Sequence, residues 1–174
     1  GIGVDNYDGI AYAYLRQADG TYLEIQVISP TGVTASSRDI NDTSGLYGMH
    51  FGQVVAMDPS GTTLAISAPA VMKDDTRRVG AVFLYNRSGS SYVLDTTLYP
   101  PEDYVKEGLL FGYSMSCTLD DVFILGNGGL FTAHRTGGTW GDVVAVPDQA
   151  DAFHGTQADL AVSGDWLVVA SLNL

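Results

Sequence analysis

The chain has 174 residues, enough for one domain with a sizeable core, and 45% of them are hydrophobic, so it is a folding sequence rather than a disordered one. Eight Lys and Arg against 20 Asp and Glu give a net charge of −12, which excludes a nucleic-acid surface, since phosphate contacts need clustered cations, and disfavours an anionic membrane. No apolar run is long enough for membrane insertion, no basic stretch followed by an apolar one begins the chain, and position 1 is not Met, so the chain reads as a processed or excised segment.

Residues 1–30 hold two strand-like runs, Ile10 to Leu15 and Tyr22 to Ile28. Residues 31–50 form a long polar loop, and Ser29 to Ser44 is rich enough in Ser and Thr to carry O-glycans. Residues 51–100 read as four strands: Phe51 to Met57, Thr63 to Ala68, Ala81 to Asn86 and Tyr92 to Leu98. Asp58-Pro59-Ser60-Gly61 and Arg87-Ser88-Gly89-Ser90 are turns between them, and Pro100-Pro101 ends the pattern. Residues 111–148 repeat the plan with Phe111 to Thr118, Val122 to Leu125, Leu130 to His134 and Val143 to Val146. Asp120-Asp121, Asn127-Gly128-Gly129 and Thr136-Gly137-Gly138 connect these. Residues 153–174 hold two more strands, near Gln157 to Val162 and Trp166 to Ala170.

Two phrases recur along this path. Phe51-Gly52-Gln53-Val54-Val55-Ala56 is matched by Phe111-Gly112-Tyr113-Ser114-Met115-Ser116 and, in eroded form, by Phe153-His154-Gly155-Thr156. Gly80-Ala81-Val82-Phe83-Leu84-Tyr85-Asn86-Arg87 matches Gly9-Ile10-Ala11-Tyr12-Ala13-Tyr14-Leu15-Arg16, and Gly129-Leu130-Phe131-Thr132-Ala133-His134-Arg135 matches it more weakly. Repeats of this length set an architecture of stacked units. The expected fold is all-β, with four-stranded antiparallel units arranged as β-propeller blades. The chain opens at a third and fourth strand and closes with a first and second, so about three blades' worth of strands carries complementary half-blades at its ends. Propellers typically have about 4–8 blades. Three solutions follow: a piece of a longer propeller, a ring made with other copies, or a head-to-tail chain in which half-blades complete each other. The residues expected to carry such assembly are Ile10 and Tyr12 at one end, and Trp166 and Val168 at the other.

The series Phe-Gly-x-x-Val-Ala, Leu-Ala-Ile-Ser-Ala-Pro and Gly-Ala-Val-Phe-Leu-Tyr resembles the FG-GAP repeat, the unit of integrin α-subunit propellers and of many bacterial and algal surface proteins. It is carried best by Phe51 to Leu98 and partly by residues 111–146, where Gly126-Asn127-Gly128 replaces Ala68-Pro69. The resemblance implies an extracellular or cell-surface protein. It also implies calcium loops of the type Asp-x-Asn-x-Asp-Gly. The nearest match is Val4 to Gly9, with Asn6 and Asp8 on ligand positions, but Val4 and Tyr12 stand where carboxylates belong, and the segment reads more simply as an Asx turn.

Asn41-Asp42-Thr43 and Asn86-Arg87-Ser88 are glycosylation sequons, expected in the polar loop and at a hairpin turn. No catalytic residue is assigned. His50, His134 and His154 fall in different repeats, and no nucleophile, metal or nucleotide motif is present. Cys117, the one cysteine, reads as a small buried hydrophobe. Aromatic residues recurring at equivalent strand positions, among them Phe83, Phe131 and Trp140, read as packing between blades, with sugar stacking the less economical alternative. The sequence therefore points to a non-enzymatic extracellular structural protein that assembles with copies of itself, as a filament or surface-appendage subunit. The alternative is a ligand-binding adhesion module of a larger integrin-like or cell-surface protein. A propeller hydrolase acting on polysaccharide is a third reading, without a motif behind it.

Overall fold

A computed structural model describes residues 8–32, 48–147 and 158–171. Those residues are all-β, with antiparallel sheets and a single 3₁₀ turn at Glu102–Tyr104. β1 (Ala11–Arg16) and β2 (Tyr22–Ile28) form a hairpin. β3 (Val55–Met57), β4 (Thr63–Ala68), β5 (Ala81–Ser88) and β6 (Ser91–Leu98) form a four-stranded sheet in chain order. β7 (Ser114–Cys117), β8 (Asp121–Gly126) and β9 (Gly129–Thr136) repeat it, and two short strands, β10 (Thr139–Trp140) and β11 (Val144–Ala145), pair with β9 in place of a fourth. β12 (Ala158–Ser163) and β13 (Trp166–Ser171) form a second hairpin.

The sheets pack face to face in chain order, because alternate residues of each strand serve opposite faces. Val82 and Leu84 of β5 join Phe111, Ile124 and Phe131 in the core between the two large sheets. Their neighbours Ala81, Phe83 and Tyr85 turn the other way, onto Ile28, Ala11 and Ala13 of the first hairpin. On the far side, Tyr113, Leu125 and Leu130 pack with Leu160, Leu167 and Val169 of the last hairpin. A strand packed on both faces is buried along its whole length, and all six residues of β4 are buried, the polar Thr63 and Ser67 among them.

The repeated phrases are the joints of this stack. The Phe111 amide donates to the Val79 carbonyl at 2.8 Å, and the Phe51 amide donates to the Asp8 carbonyl at 2.9 Å. The glycine that follows each acceptor leaves no room for a side chain. A Cβ on Gly80 would stand 2.3 Å from the Phe111 carbonyl oxygen, and one on Gly9 would stand 2.0 Å from that of Phe51. Both glycines also have positive φ, 95° and 79°. The Phe-Gly of one sheet is thus seated on the Gly of the sheet before it, and the first hairpin is joined to its neighbour as the two large sheets are joined to each other.

Several expectations are corrected. Strand pairing begins at Val55 and Ser114 rather than at Phe51 and Phe111, because the Phe-Gly phrases are turns, with Gln53 donating to the His50 carbonyl and Tyr113 to that of Leu110. The fourth strand expected over Val143 to Val146 is split, with Gly141 bonded to the His134 carbonyl between the pieces. Asp121 belongs to β8 rather than to a turn. Asn86 lies inside β5, paired with Thr63 and Val93, and not at the hairpin turn. Among the described residues the sheets do not close into a ring: β1 pairs only with β2, and β13 only with β12. The Phe153 phrase lies outside the described residues, as does most of the loop 31–50.

Candidate assembly surfaces

The four residues expected to carry assembly lie at the two ends of the stack and are not brought together. Ile10, just before β1, is 47% exposed and Tyr12 is 50% exposed. Trp166 and Val168 on β13 are 78% and 61% exposed. Large apolar side chains open to water at this level mark surfaces that have a partner when they are contiguous, and here they adjoin strand edges that are unpaired among the described residues.

At the first end the hairpin leans on the large sheet through its outer strands. Gln26 bonds both backbone groups of Tyr92: its Nε2 donates to the Tyr92 carbonyl at 2.8 Å, and its Oε1 accepts from the Tyr92 amide at 2.7 Å. The inner part of the same face is left open. A cleft of about 450 Å3 lies between β1 and the inner strands, with Tyr12, Tyr14, Val55, Met57, Leu64 and Ile66 among its walls. Val55 and Met57 are exposed there, on β3 at the edge of the sheet. Tyr14 was read from the sequence as one of the recurring packing aromatics, whereas Val55 and Met57 were not singled out. The signal was present in the Val-x-Met alternation of a strand whose opposite face, Ala56, joins the core.

At the second end, β12 is fixed to β7 by a polar clasp. Ser114 Oγ donates to Asp159 Oδ1 at 2.5 Å and accepts from the Leu160 amide at 3.2 Å. Leu167 and Val169 face inward onto the last large sheet, so Trp166 and Val168 necessarily face outward.

The remaining candidates are dispersed. Asn6 and Asn41 lie outside the described residues, as does His154. Asp8 uses its carbonyl at the Phe51 joint, and no group of three or more His, Cys, Asp or Glu able to hold a metal occurs among the described residues. Asn86 is half-buried, and its buried side-chain oxygen has no hydrogen-bond partner. His134 Nδ1 lies 2.8 Å from Asp121 Oδ1 on the surface. Cys117 is buried, and desolvation, reinforced by Asp58, pushes its thiol up to about 12, which favours the neutral form. Asp58, read as a plain turn residue, is an anchor: it accepts from Ser60, from the Thr62 amide and from the buried Thr63 amide. Burial raises its carboxyl, and these bonds outweigh that and hold it below the ordinary carboxylate value. A second cavity of about 270 Å3 near the Phe-Gly turns is lined by His50, Gln53, Arg78 and Tyr113, among others.

No family model matches the chain, and no curated protein sequence matches it. The FG-GAP resemblance therefore rests on the quoted phrases and on the structural part that those phrases play. No helix among the described residues is long and apolar enough to cross a membrane.

Proposed function

We propose that this chain is a non-enzymatic, extracellular structural protein whose sheets are FG-GAP-type propeller blades, and that it assembles with copies of itself into a filament or surface appendage. One observation carries the reading. Each end of the stack presents a strand edge that is unpaired among the described residues, next to exposed apolar side chains, Tyr12 on one and Trp166 on the other. An exposed apolar edge left alone is an aggregation hazard, and specific pairing removes it. Such contacts are head-to-tail, and a head-to-tail contact that does not close propagates as a fibre.

A second reading, a ligand-binding adhesion module, is favoured by the cavity lined by His50, Arg78 and Tyr113. Electron microscopy of native material, with sedimentation across a concentration series, separates the two. Elongated particles that lengthen with concentration support the structural reading. Monodisperse particles that never associate remove it and turn attention to the cavity.

A further inference from the structure

The two open ends are complementary in strand type, pattern and charge. We infer that the cleft beside β1 is the acceptor for the β12–β13 hairpin of a second copy of this chain, with β13 adding antiparallel to the free edge of β1 in one register. This deepens the assembly reading and rests on it.

The register comes from the two complete sheets. In each, the second strand pairs antiparallel with the third, β4 with β5 and β8 with β9. Ile10 to Leu15 match Ala81 to Asn86, so β1 is a third strand, and no second strand pairs with it among the described residues. β13 is a second strand, and no third strand pairs with it among the described residues. Its turn-closing pair Ser163/Trp166 corresponds to Asp58/Thr63 and Thr118/Asp121, which makes Leu167 the equivalent of Leu64 and Val122. Facing agrees: Leu64, Val122 and Leu167 all belong to the core that their sheet shares with the sheet before it.

Carried across, Leu167 falls opposite Tyr14, Val168 opposite Ala13 and Val169 opposite Tyr12. Two of these pairs have counterparts in the complete sheets. Ile66 lies opposite Phe83, and Ile124 opposite Phe131, so a β-branched residue meets an aromatic one at this level, as Val169 would meet Tyr12. Ala65 lies opposite Leu84, one small and one large residue on the face toward the next sheet. Val168 with Ala13 keeps that small-plus-large sum with the sizes exchanged, which a packed layer tolerates best. Val168 then enters the cleft toward Val55 and Met57, the two side chains that the hairpin leaves exposed beside buried Leu64 and Ile66. Charge agrees as well. The Arg135 amide bonds the Asp120 carbonyl beyond the end of the β8–β9 ladder, and at the corresponding level Arg16 would stand by Asp165.

The occupant is a second copy rather than an unrelated segment, because β13 supplies strand type, β-branched partner, volume and acidic residue in the same register. Inter-copy disulfide formation tests this. Two full-length proteins are made, Ala13→Cys and Val168→Cys, each keeping the buried Cys117, and are mixed under mild oxidation. Mixing separate variants makes a link within one chain impossible. The expected result is a species of twice the chain mass linked from 13 to 168, with little product when Ala11→Cys replaces Ala13→Cys. Assembly without a 13–168 link, or equal linking from 11 and 13, overturns the inference and leaves the assembly reading standing. Wild-type protein that stays monomeric at every concentration, with no link formed, overturns both.

Discussion

The Phe111 amide reaches the Val79 carbonyl at 2.8 Å, and Gly80 stands beside that bond with its α-carbon against the Phe111 backbone. A phrase repeated in sequence is therefore a repeated joint between sheets. Its glycine is required both by close approach and by a φ of 95°.

Gly80→Ala should strike this joint. The new Cβ meets backbone, which cannot swing away, so a loss of about 2–3 kcal/mol or more is expected. Gly89→Ala is the control, since Gly89 has positive φ but nothing within 4 Å of an added Cβ. It should cost only about 1 kcal/mol. Urea denaturation of both variants measures the difference.

Asp58 should anchor its turn in a pH-dependent way. Removing the carboxylate leaves the buried Thr63 amide without that acceptor, and Asp58→Ala should cost about 1–3 kcal/mol. Its folded carboxyl lies below the unfolded value, so its contribution is complete above the unfolded value near about 3.9. That contribution is lost as pH falls through the lowered folded value. Stability curves for wild type and Asp58→Asn, measured through the acid range, should converge at the acid end.

Tyr113 has a buried hydroxyl with no hydrogen-bond partner, and burial pushes its ionisation up to about 12. Tyr113→Phe removes an unsatisfied group while keeping the ring. Thermal denaturation should show unchanged stability or a gain of up to about 1 kcal/mol. A loss larger than that would mean that the hydroxyl has a partner in solution.

Cys117 should be silent in the folded protein. It is buried between the two large sheets, and its thiol is held in the neutral form. Labelling by a thiol reagent at neutral pH should proceed at the rate of local or global opening and accelerate sharply with denaturant. Rapid labelling without denaturant would show that the core between these sheets opens.

A net charge of −12 on every copy opposes association at low ionic strength. Sedimentation should show assembly strengthening as salt rises, up to the point where screening is complete. Assembly that weakens with salt would mean that ion pairs, rather than the apolar edges, hold the copies together.

Strand type, chain order and the unit of repetition were legible in the sequence, because they follow from period-two hydrophobicity and from turn residues acting over a few positions. β4 and β5 were recovered in this way, and so was the pairing of β8 with β9. The start of β3 was not, since Phe51 and Val54 read as the opening of the apolar run Val55–Met57, while the backbone bonds of Phe51 to Asp8, Gly52 to Ser67 and Gln53 to His50 hold the segment as a turn. Asn86 was misplaced for a similar reason: the length of β5 is fixed by pairing with β6, which lies beyond the local pattern. Exposed Ile10, Tyr12, Trp166 and Val168 were picked from strand type alone. The cleft beside Tyr12 depends on Val55, Met57, Leu64 and Ile66, which reach one wall only when distant strands stack. The sequence by itself determined which strands exist and what each lacks. The tertiary structure alone decided which faces remain open, because exposure is set by how sheets far apart in the chain cover one another.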